Sequence, residues 1–257
     1  MRKNLVSNVP WVYAFDIRAK LFQVLCKAVQ EEHGYGYEVE QIEVRREFLL
    51  EDAIDQIVGH NVNPRKQWQI VFVDENHQVE DGVDGGGLFK EFITLLTTTI
   101  FNPNFSFFSE TSHDRTSYPN VLSSINDPEF RKLFQFFGTI VGKALYEGVL
   151  LKVRFSKFFL LRLLSKSNQL DDLKSLDPQL YDNLLMVKYY EGNVEDLGLT
   201  MSTAVNAFGM AQEVELIPNG SNVPVTNRNR PIYLMRLVNY LLNMSTYEQT
   251  KAFLRGL

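Results

Sequence analysis

The protein has 257 residues, of which 45% are hydrophobic and 22% are charged, and its formal net charge is −5 at pH 7. This length supplies enough apolar material for a substantial core. The acidic balance argues against nucleic acid as a partner, because phosphate binding draws on a surplus of Lys and Arg. Cys26 is the only cysteine. It excludes a disulfide scaffold and indicates a reducing compartment, the cytosol or the nucleus.

The first third of the chain alternates between helix-like and strand-like patterns. Phe22, Leu25, Cys26 and Val29 recur at helical spacing, and Gly34 is expected to end that helix. Trp68, Ile70 and Phe72 alternate as in a strand. We predict a helix over 15–30, a strand over 39–46, a helix over 51–58 and a strand over 67–73.

The middle of the chain is strongly helical in its pattern. We predict a helix over 88–100, a loop over 101–126, a periodic helix that begins near Phe130, and an apolar helix over 155–164. The most apolar stretch, 149–164, contains Lys152, Arg154, Lys157 and Arg162. A membrane-spanning helix needs about 20 nearly uncharged residues, so we expect no membrane span.

The last third becomes polar and acidic after Ser165. A helix is predicted over 178–190. Strands over 213–217 and 223–226 flank Asn219-Gly220, a strong hairpin signal. A final helix is expected to begin at Thr226 or Asn227, with Pro231 in its first turns, and to run to Leu257. The predicted fold class is α+β, mainly α.

A glycine-rich run, 81–87, lies between a predicted strand and a predicted helix. Such loops can cradle phosphate at a helix N-terminus, but a P-loop requires Lys and then Ser or Thr directly after its last glycine. Leu88 and Phe89 follow Gly87 instead, and the dinucleotide-binding spacing is also missing. We therefore predict a tight turn that requires glycine at positive φ, with nucleotide binding as the alternative.

No residue pattern predicts a self-contained active site. Cys26 lies on an apolar helix face, where a cysteine is expected to be buried and inert. The neighbouring carboxylate pairs lack the context of a glycosidase, and no G-x-S-x-G elbow is present. The four histidines are scattered. We expect no catalytic residue, no metal and no cofactor in this chain.

Apolar residues recur inside the acidic segment between 180 and 199. Leu180, Leu184 and Tyr190 lie on a predicted helix and at its exit, and Leu197 and Leu199 follow. Glu191, Glu195 and Asp196 stand among them. These residues alone leave two interpretations open: an apolar groove with an acidic rim, or a small local core.

Several runs, in one order along the chain, resemble the hallmark motifs of the HECT-type ubiquitin ligases. They are 82–92 (GVDGGGLFKEF), 137–148 (FGTIVGKALYEG), 155–164, 175–181 (SLDPQLY), 190–199 (YEGNVEDLGL), 217–220 (IPNG) and 224–227 (PVTN). Upstream, 15–18 (FDIR), 42–46 (IEVRR) and 51–53 (EDA) resemble the branch of ubiquitin-protein ligases lettered B and C.

The resemblance implies a two-lobed enzyme. A larger N-terminal lobe docks the ubiquitin-charged conjugating enzyme (E2), and a second lobe carries a cysteine that receives ubiquitin as a thioester and passes it to a substrate lysine. Leu257 falls in what resembles the closing helix of the first lobe, so we expect this chain to be that lobe and to be inactive alone. The implied organisation is a helical extension (1–40), a large subdomain (41–165 with 226–257) and a small E2-binding subdomain (166–225).

The resemblance also favours the groove over the local core. Its residues would be Leu180, Leu184, Tyr190, Leu197, Leu199, Tyr233 and Leu237. The implied partners are an E2 enzyme and ubiquitin, with substrates bound through regions outside this chain. The alternatives are a truncated, non-catalytic module that binds E2 or ubiquitin, and an unrelated nucleotide-binding domain built on 81–87.

Overall fold

The computed structural model of the protein describes residues 12–76, 78–80, 87–126, 129–207 and 210–257. Helices predominate there, and the described strands form three separate two-stranded sheets, which confirms an α+β fold that is mainly helical. The chain divides into two compact units. The first comprises residues up to Thr99, Gln135–Lys152 and Gly256–Leu257, and the second comprises Ile100–Phe134 and Val153–Arg255. The subdomain boundaries expected from the sequence are not tested by this division and stay a prediction.

The first unit contains a strand–helix–strand segment. Its elements are β1 (Val39–Arg45), α2 (Leu49–Ile54) with one π-helical turn after it (Asp55–Gly59), and β2 (Gln67–Val73). Both strands were expected, and the helix predicted over 51–58 is divided between α2 and the π turn. The strands pair in parallel, with Ile42 opposite Ile70 and Val44 opposite Phe72, all buried. Parallel strands require a crossover, and α2 with its π turn lies in the one that joins them.

Helix α1 (Phe15–Glu32) precedes this segment and has no buried residue. Its expected apolar face is present, but Phe22 and Val29 are exposed and Cys26 is half-buried. The expectation of a buried Cys26 was therefore wrong. Helical spacing shows which residues share a face, but it does not show whether another element covers that face.

Two further helices contribute to the first unit, α3 (Gly87–Ile100) and most of α5 (Phe130–Tyr146). The buried residues of α5, which include Phe134, Phe137 and Ile140, follow the predicted helical period. The predicted glycine turn lies outside the described residues, except that Gly87 begins α3.

A buried charge lies on α5. The Lys143 side chain is fully buried, and its Nζ lies 2.5 Å from the Glu147 carboxylate and donates to the Lys66 carbonyl at 2.6 Å. Its Nζ lies 5.1 Å from the Trp68 ring centroid and 5.3 Å from that of Tyr35, within range of a cation–π attraction. The Tyr35 hydroxyl donates to Glu147. We call Lys143, Glu147, Tyr35 and Trp68 the Lys143 cluster.

The second unit begins with a region that was expected to be loop. It contains a 3₁₀ turn (Pro103–Phe105), β3 (Phe108–Glu110), β4 (Ser117–Pro119) and α4 (Ser123–Asn126). The two strands pair antiparallel, with Ser109 opposite Tyr118. The loop prediction was wrong here because strands of three residues are too short to show a recognisable alternation.

Phenylalanine rings form the core of this unit. Phe101 and Phe108 meet edge to face with centroids 4.7 Å apart, and Phe159 and Phe253 do so at 5.5 Å. Such edge-to-face pairs add stability beyond the area they bury. Phe159 lies on α6 (Lys157–Leu163), which occupies most of the apolar helix predicted over 155–164.

The rest of the second unit is a series of short elements. They are a 3₁₀ helix (Leu170–Ser175), α7 (Pro178–Tyr189), a 3₁₀ helix (Val194–Leu197), β5 (Ser202–Ala207), β6 (Met210–Glu215), a 3₁₀ helix (Gly220–Asn222), α8 (Arg230–Asn239), a π turn (Tyr240–Met244) and α9 (Tyr247–Gly256). The single final helix expected from the sequence is thus α8, a π turn and α9. None of the helices in the described ranges is long and apolar enough to cross a bilayer.

The hairpin of this unit is not where the sequence placed it. β5 pairs antiparallel with β6, with Ser202 opposite Glu215, and Asn219-Gly220 joins no strands. Asn219 has φ of 58°, and its N–H donates to the Glu215 carboxylate at 3.0 Å. A Cβ on Gly220 would lie 2.1 Å from the Met201 carbonyl oxygen. Glycine is needed at position 220 because two backbone segments cross closely there, and not because the chain makes a hairpin turn.

Candidate functional site

Helix α7 is fixed at both ends. At its start the Asp177 side chain accepts a hydrogen bond from the Leu180 N–H at 3.0 Å, and Pro178 follows it. These are preferred residues at a helix N-terminus. At its end the Arg230 guanidinium donates to the Tyr190 carbonyl at 2.7 Å and to the Val187 carbonyl at 3.3 Å. A cation on the last carbonyls of a helix opposes the negative end of its dipole.

The segment after α7 is held by side chains that cap its backbone. The Tyr190 ring lies against Gly192, where a Cβ would come within 2.8 Å of that ring. The Val194 N–H donates to the Asn227 side chain at 3.2 Å. Gly198, at φ of 65°, ends the 3₁₀ helix that carries Leu197. These contacts hold Tyr190 and Leu197 at defined positions.

The seven predicted groove residues fall into two layers. Leu184, Tyr233 and Leu237 are buried, and Leu180 and Leu199 are half-buried. Tyr190 and Leu197 are each 38% exposed. We call Tyr190, Leu197, Leu180 and Leu199 the docking surface and the three buried residues its floor. Exposure does not test whether a partner binds, so the role of all seven residues stays a prediction.

A small cavity joins parts of both layers. It measures about 280 Å³ and is lined by Leu199 and Tyr233 together with Thr203, Ala204 and Glu213 of the β5–β6 hairpin. Burial raises the pKa of the Tyr233 hydroxyl. Thr203 and Ala204 lie on β5, which was not predicted, whereas Glu213 lies where the strand predicted over 213–217 overlaps β6. The alternation of Thr203 and Val205 was the available signal for β5.

Acidic residues neighbour the exposed apolar ones along the chain. Glu191, Glu195 and Asp196 are all exposed. Glu213, on the rim of the cavity, accepts a hydrogen bond from the Ser202 hydroxyl at 2.7 Å. Exposed carboxylates thus stand next to Tyr190 and Leu197 in sequence, while the Arg230 guanidinium lies on the Tyr190 carbonyl.

The single thiol has the properties of an unreactive group. Burial raises the pKa of Cys26 above its usual value, so less thiolate is present at neutral pH. Within the described ranges, no three His, Cys, Asp or Glu side chains gather in a way that could hold a metal ion.

Comparison with known proteins identifies the family. The model of the HECT-domain (ubiquitin-transferase) family matches residues 94–257, more than half of the chain. The chain belongs to the HECT-domain family. The matched range includes all seven predicted groove residues, and Cys26 lies outside it.

Relatives agree with this assignment. A probable E3 ubiquitin protein ligase of Schizosaccharomyces pombe is 36% identical over 99% of this chain and 25% of its own length. The E3 ubiquitin-protein ligase UPL6 of Arabidopsis thaliana is 34% identical, and the human ubiquitin-protein ligase E3B is 33% identical, each over 98% of this chain and 25% of its own length. The HECT chain thus spans about a quarter of the length of these relatives.

Proposed function

We propose that this chain is the lobe of a HECT ubiquitin ligase that docks ubiquitin-charged E2. In the complete ligase, ubiquitin would pass from E2 to a cysteine on a second, catalytic lobe, and from there to a substrate lysine. Family membership and the relatives' names support ubiquitin transfer as the reaction. The docking role rests on one observation, the pair Tyr190 and Leu197. Contacts with the surrounding backbone fix the position of both residues, and both are exposed beside acidic residues.

Tyr190 and Leu197 have the properties of anchor residues for a partner. Exposed apolar groups rimmed by polar residues often mark protein interaction sites, and aromatic residues are the commonest anchors of such sites. Arg230 and Gly192 fix the position of Tyr190, so a partner need not first order that residue.

The decisive experiment is a titration of this chain, by NMR or calorimetry, with a panel of E2 enzymes carrying stably linked ubiquitin. We expect Tyr190→Ala to weaken binding by about 2 kcal/mol, roughly thirtyfold, with little change in melting temperature. Leu197→Ala should weaken binding by a smaller factor. The matched control is Tyr37→Ala, because Tyr37 is 93% exposed and lies in the other unit. Wild-type affinity in Tyr190→Ala would overturn the proposed docking surface.

A second experiment tests whether this chain can form a thioester with ubiquitin in the absence of a second lobe. Incubated with activating enzyme, charged E2 and ubiquitin, the chain alone should form no thiol-sensitive ubiquitin adduct on a non-reducing gel. This follows from the raised pKa of Cys26 and its place outside the family match. An adduct on the wild-type chain that disappears in Cys26→Ser would contradict the proposal.

A further inference from the structure

A second cleft borders helix α8 and shares none of its lining with the seven groove residues. Its volume is about 570 Å³, and its apolar lining includes Leu170, Leu234, Met235 and Val238. The α8 residues Tyr233 and Leu237 belong to the floor of the docking surface, whereas Leu234, Met235 and Val238 line the cleft. The volume falls within the range of pockets that enclose a ligand. We call this cavity the α8 cleft.

The α8 cleft is positively charged in an acidic chain. Lys188, Arg230 and Arg236 line it, and no Asp or Glu is among its described lining residues. None of these three cations has a carboxylate within 4 Å in the described part of the chain. Arg230 is already bonded to the carbonyls at the end of α7. Lys188 and Arg236 are therefore the cations of the cleft that favour an anionic ligand, in a chain whose net charge is −5.

One wall of the cleft is held rigid by paired asparagines. The Asn168 backbone N–H donates to the Asn243 side-chain oxygen at 3.0 Å, and the Asn243 amide donates to the Asn168 carbonyl at 3.2 Å. The Asn168 amide also donates to the Phe158 carbonyl at 3.0 Å. Both residues are buried. A wall fixed in this way is formed before any ligand arrives, which reduces the entropic cost of binding.

We propose that the α8 cleft binds an acidic peptide segment that inserts one bulky apolar side chain. The apolar lining would take the anchor side chain, and Arg236 and Lys188 would pair with carboxylates on either side of it. A peptide fits better than a compact small molecule because the apolar surface extends past the cavity. Met235 is 59% exposed at its edge, and Ile232 on the same helix is 49% exposed. Methionine adapts its shape readily to different partners.

The test is an array of immobilised peptides in which the anchor residue (Phe, Leu, Met or Ala) and the flanking residues (Asp, Lys or Ser) vary independently. We expect the wild-type chain to select peptides with both an apolar anchor and Asp flanks. In solution, Arg236→Glu should weaken the best peptide on the order of tenfold or more. Ser167→Trp, which places a large ring at the lining of the cleft without changing its charge, should reduce selection for the anchor.

The matched control is Arg228→Glu, since Arg228 is an exposed cation outside the cleft lining, and it should bind the peptide like the wild type. Selection of Lys flanks, indifference to the anchor, or unchanged binding in Arg236→Glu would each overturn the proposal. Arg236→Glu should also bind charged E2 as the wild type does. If it loses E2 binding together with the peptide, the α8 cleft is part of the docking surface and the separate site is refuted.

Discussion

The Lys143 cluster buries a charged group, whereas the docking surface exposes apolar ones. In the first unit, a charged lysine is buried against a carboxylate, a backbone carbonyl and aromatic rings. In the second unit, an aromatic and an aliphatic side chain stand exposed among acidic residues. The buried charge has its partners within the fold, whereas Tyr190 and Leu197 keep part of their apolar surface exposed.

This difference indicates how the two regions should respond to mutation. Removing a partner of a buried charge leaves the charge uncompensated, so the cost appears in stability. Removing an exposed anchor leaves the folded core intact, so the cost appears in binding. The Tyr190→Ala titration tests the expected loss of binding. The variants below test the expected loss of stability and separate residues of the floor from residues of the docking surface.

The largest effect is expected for Glu147→Ala. It leaves the Lys143 ammonium buried without its carboxylate, and the free energy of unfolding should fall by about 3–5 kcal/mol. Lys143→Met should cost clearly less, because an apolar side chain of similar size suits the aromatic surroundings. Urea unfolding at neutral pH measures both. Glu248→Ala, which removes an exposed ion pair with Arg131, is the control and should cost under about 1 kcal/mol. Equal losses in Glu147→Ala and Lys143→Met would contradict this account of the cluster.

Leu184→Ala separates the floor from the docking surface. Leu184 is buried on α7, so truncation should lower stability by about 2–5 kcal/mol. The fraction that stays folded should bind E2 far better than Tyr190→Ala does. A melting temperature close to that of the wild type, combined with lost binding, would instead place Leu184 in direct contact with the partner.

Gly220→Ala tests whether the docking surface depends on a close backbone crossing. The added Cβ would meet the Met201 carbonyl oxygen, two residues after Leu199, and the overpacking should cost about 1–3 kcal/mol. Thermal unfolding measures it. Gly59→Ala is the matched control, since nothing lies within 4 Å of the position its Cβ would take and no positive φ is required there. A neutral Gly220→Ala would show that the crossing relaxes freely.

The smallest effect concerns the start of α7. Asp177→Ala removes the side chain that accepts the Leu180 N–H, and capping residues of this type contribute about 1 kcal/mol. Asp182→Ala, on the exposed side of the same helix, has the same change in charge without the cap. The free energies of unfolding of the two variants, measured by chemical denaturation, should differ by the contribution of the cap. Equal values would show that Asp177 does not stabilise the helix.

The hydrophobic periodicity of the sequence was sufficient to predict an element where that element is long or strongly periodic. β1, β2, α5 and α7 follow the predicted positions closely, because period-2 and period-3.6 patterns extend over several residues there. The pattern was insufficient at β3 and β4, which are too short, and at Asn219-Gly220, where the dipeptide is typical of a hairpin turn. Its actual role depends on Met201, which lies close in space but not in sequence.

The candidate site divides in the same way. The motifs carried the family resemblance, and the match over 94–257 confirms the family. The seven groove residues that the resemblance implied stay a prediction. The resemblance favoured Leu184 and Tyr190 together as the central pair of the groove, with Tyr233 as its floor. The two are six residues apart, yet Leu184 is buried and Tyr190 is exposed. Burial depends on which elements pack against a residue, and the sequence pattern does not state this.

The sequence by itself determined the fold class, the family and the absence of a recognisable nucleophile motif, because these depend on composition and on residues close together along the chain. Only the tertiary structure decided that Lys143 is buried with Glu147, that Arg230 caps α7 beside Tyr190, and that Lys188 and Arg236 border one cleft. Arg230 and Tyr190 are 40 residues apart in the chain. Their contact exists because folding brings α7 and α8 together, and the sequence pattern of either helix alone contains no information about the other.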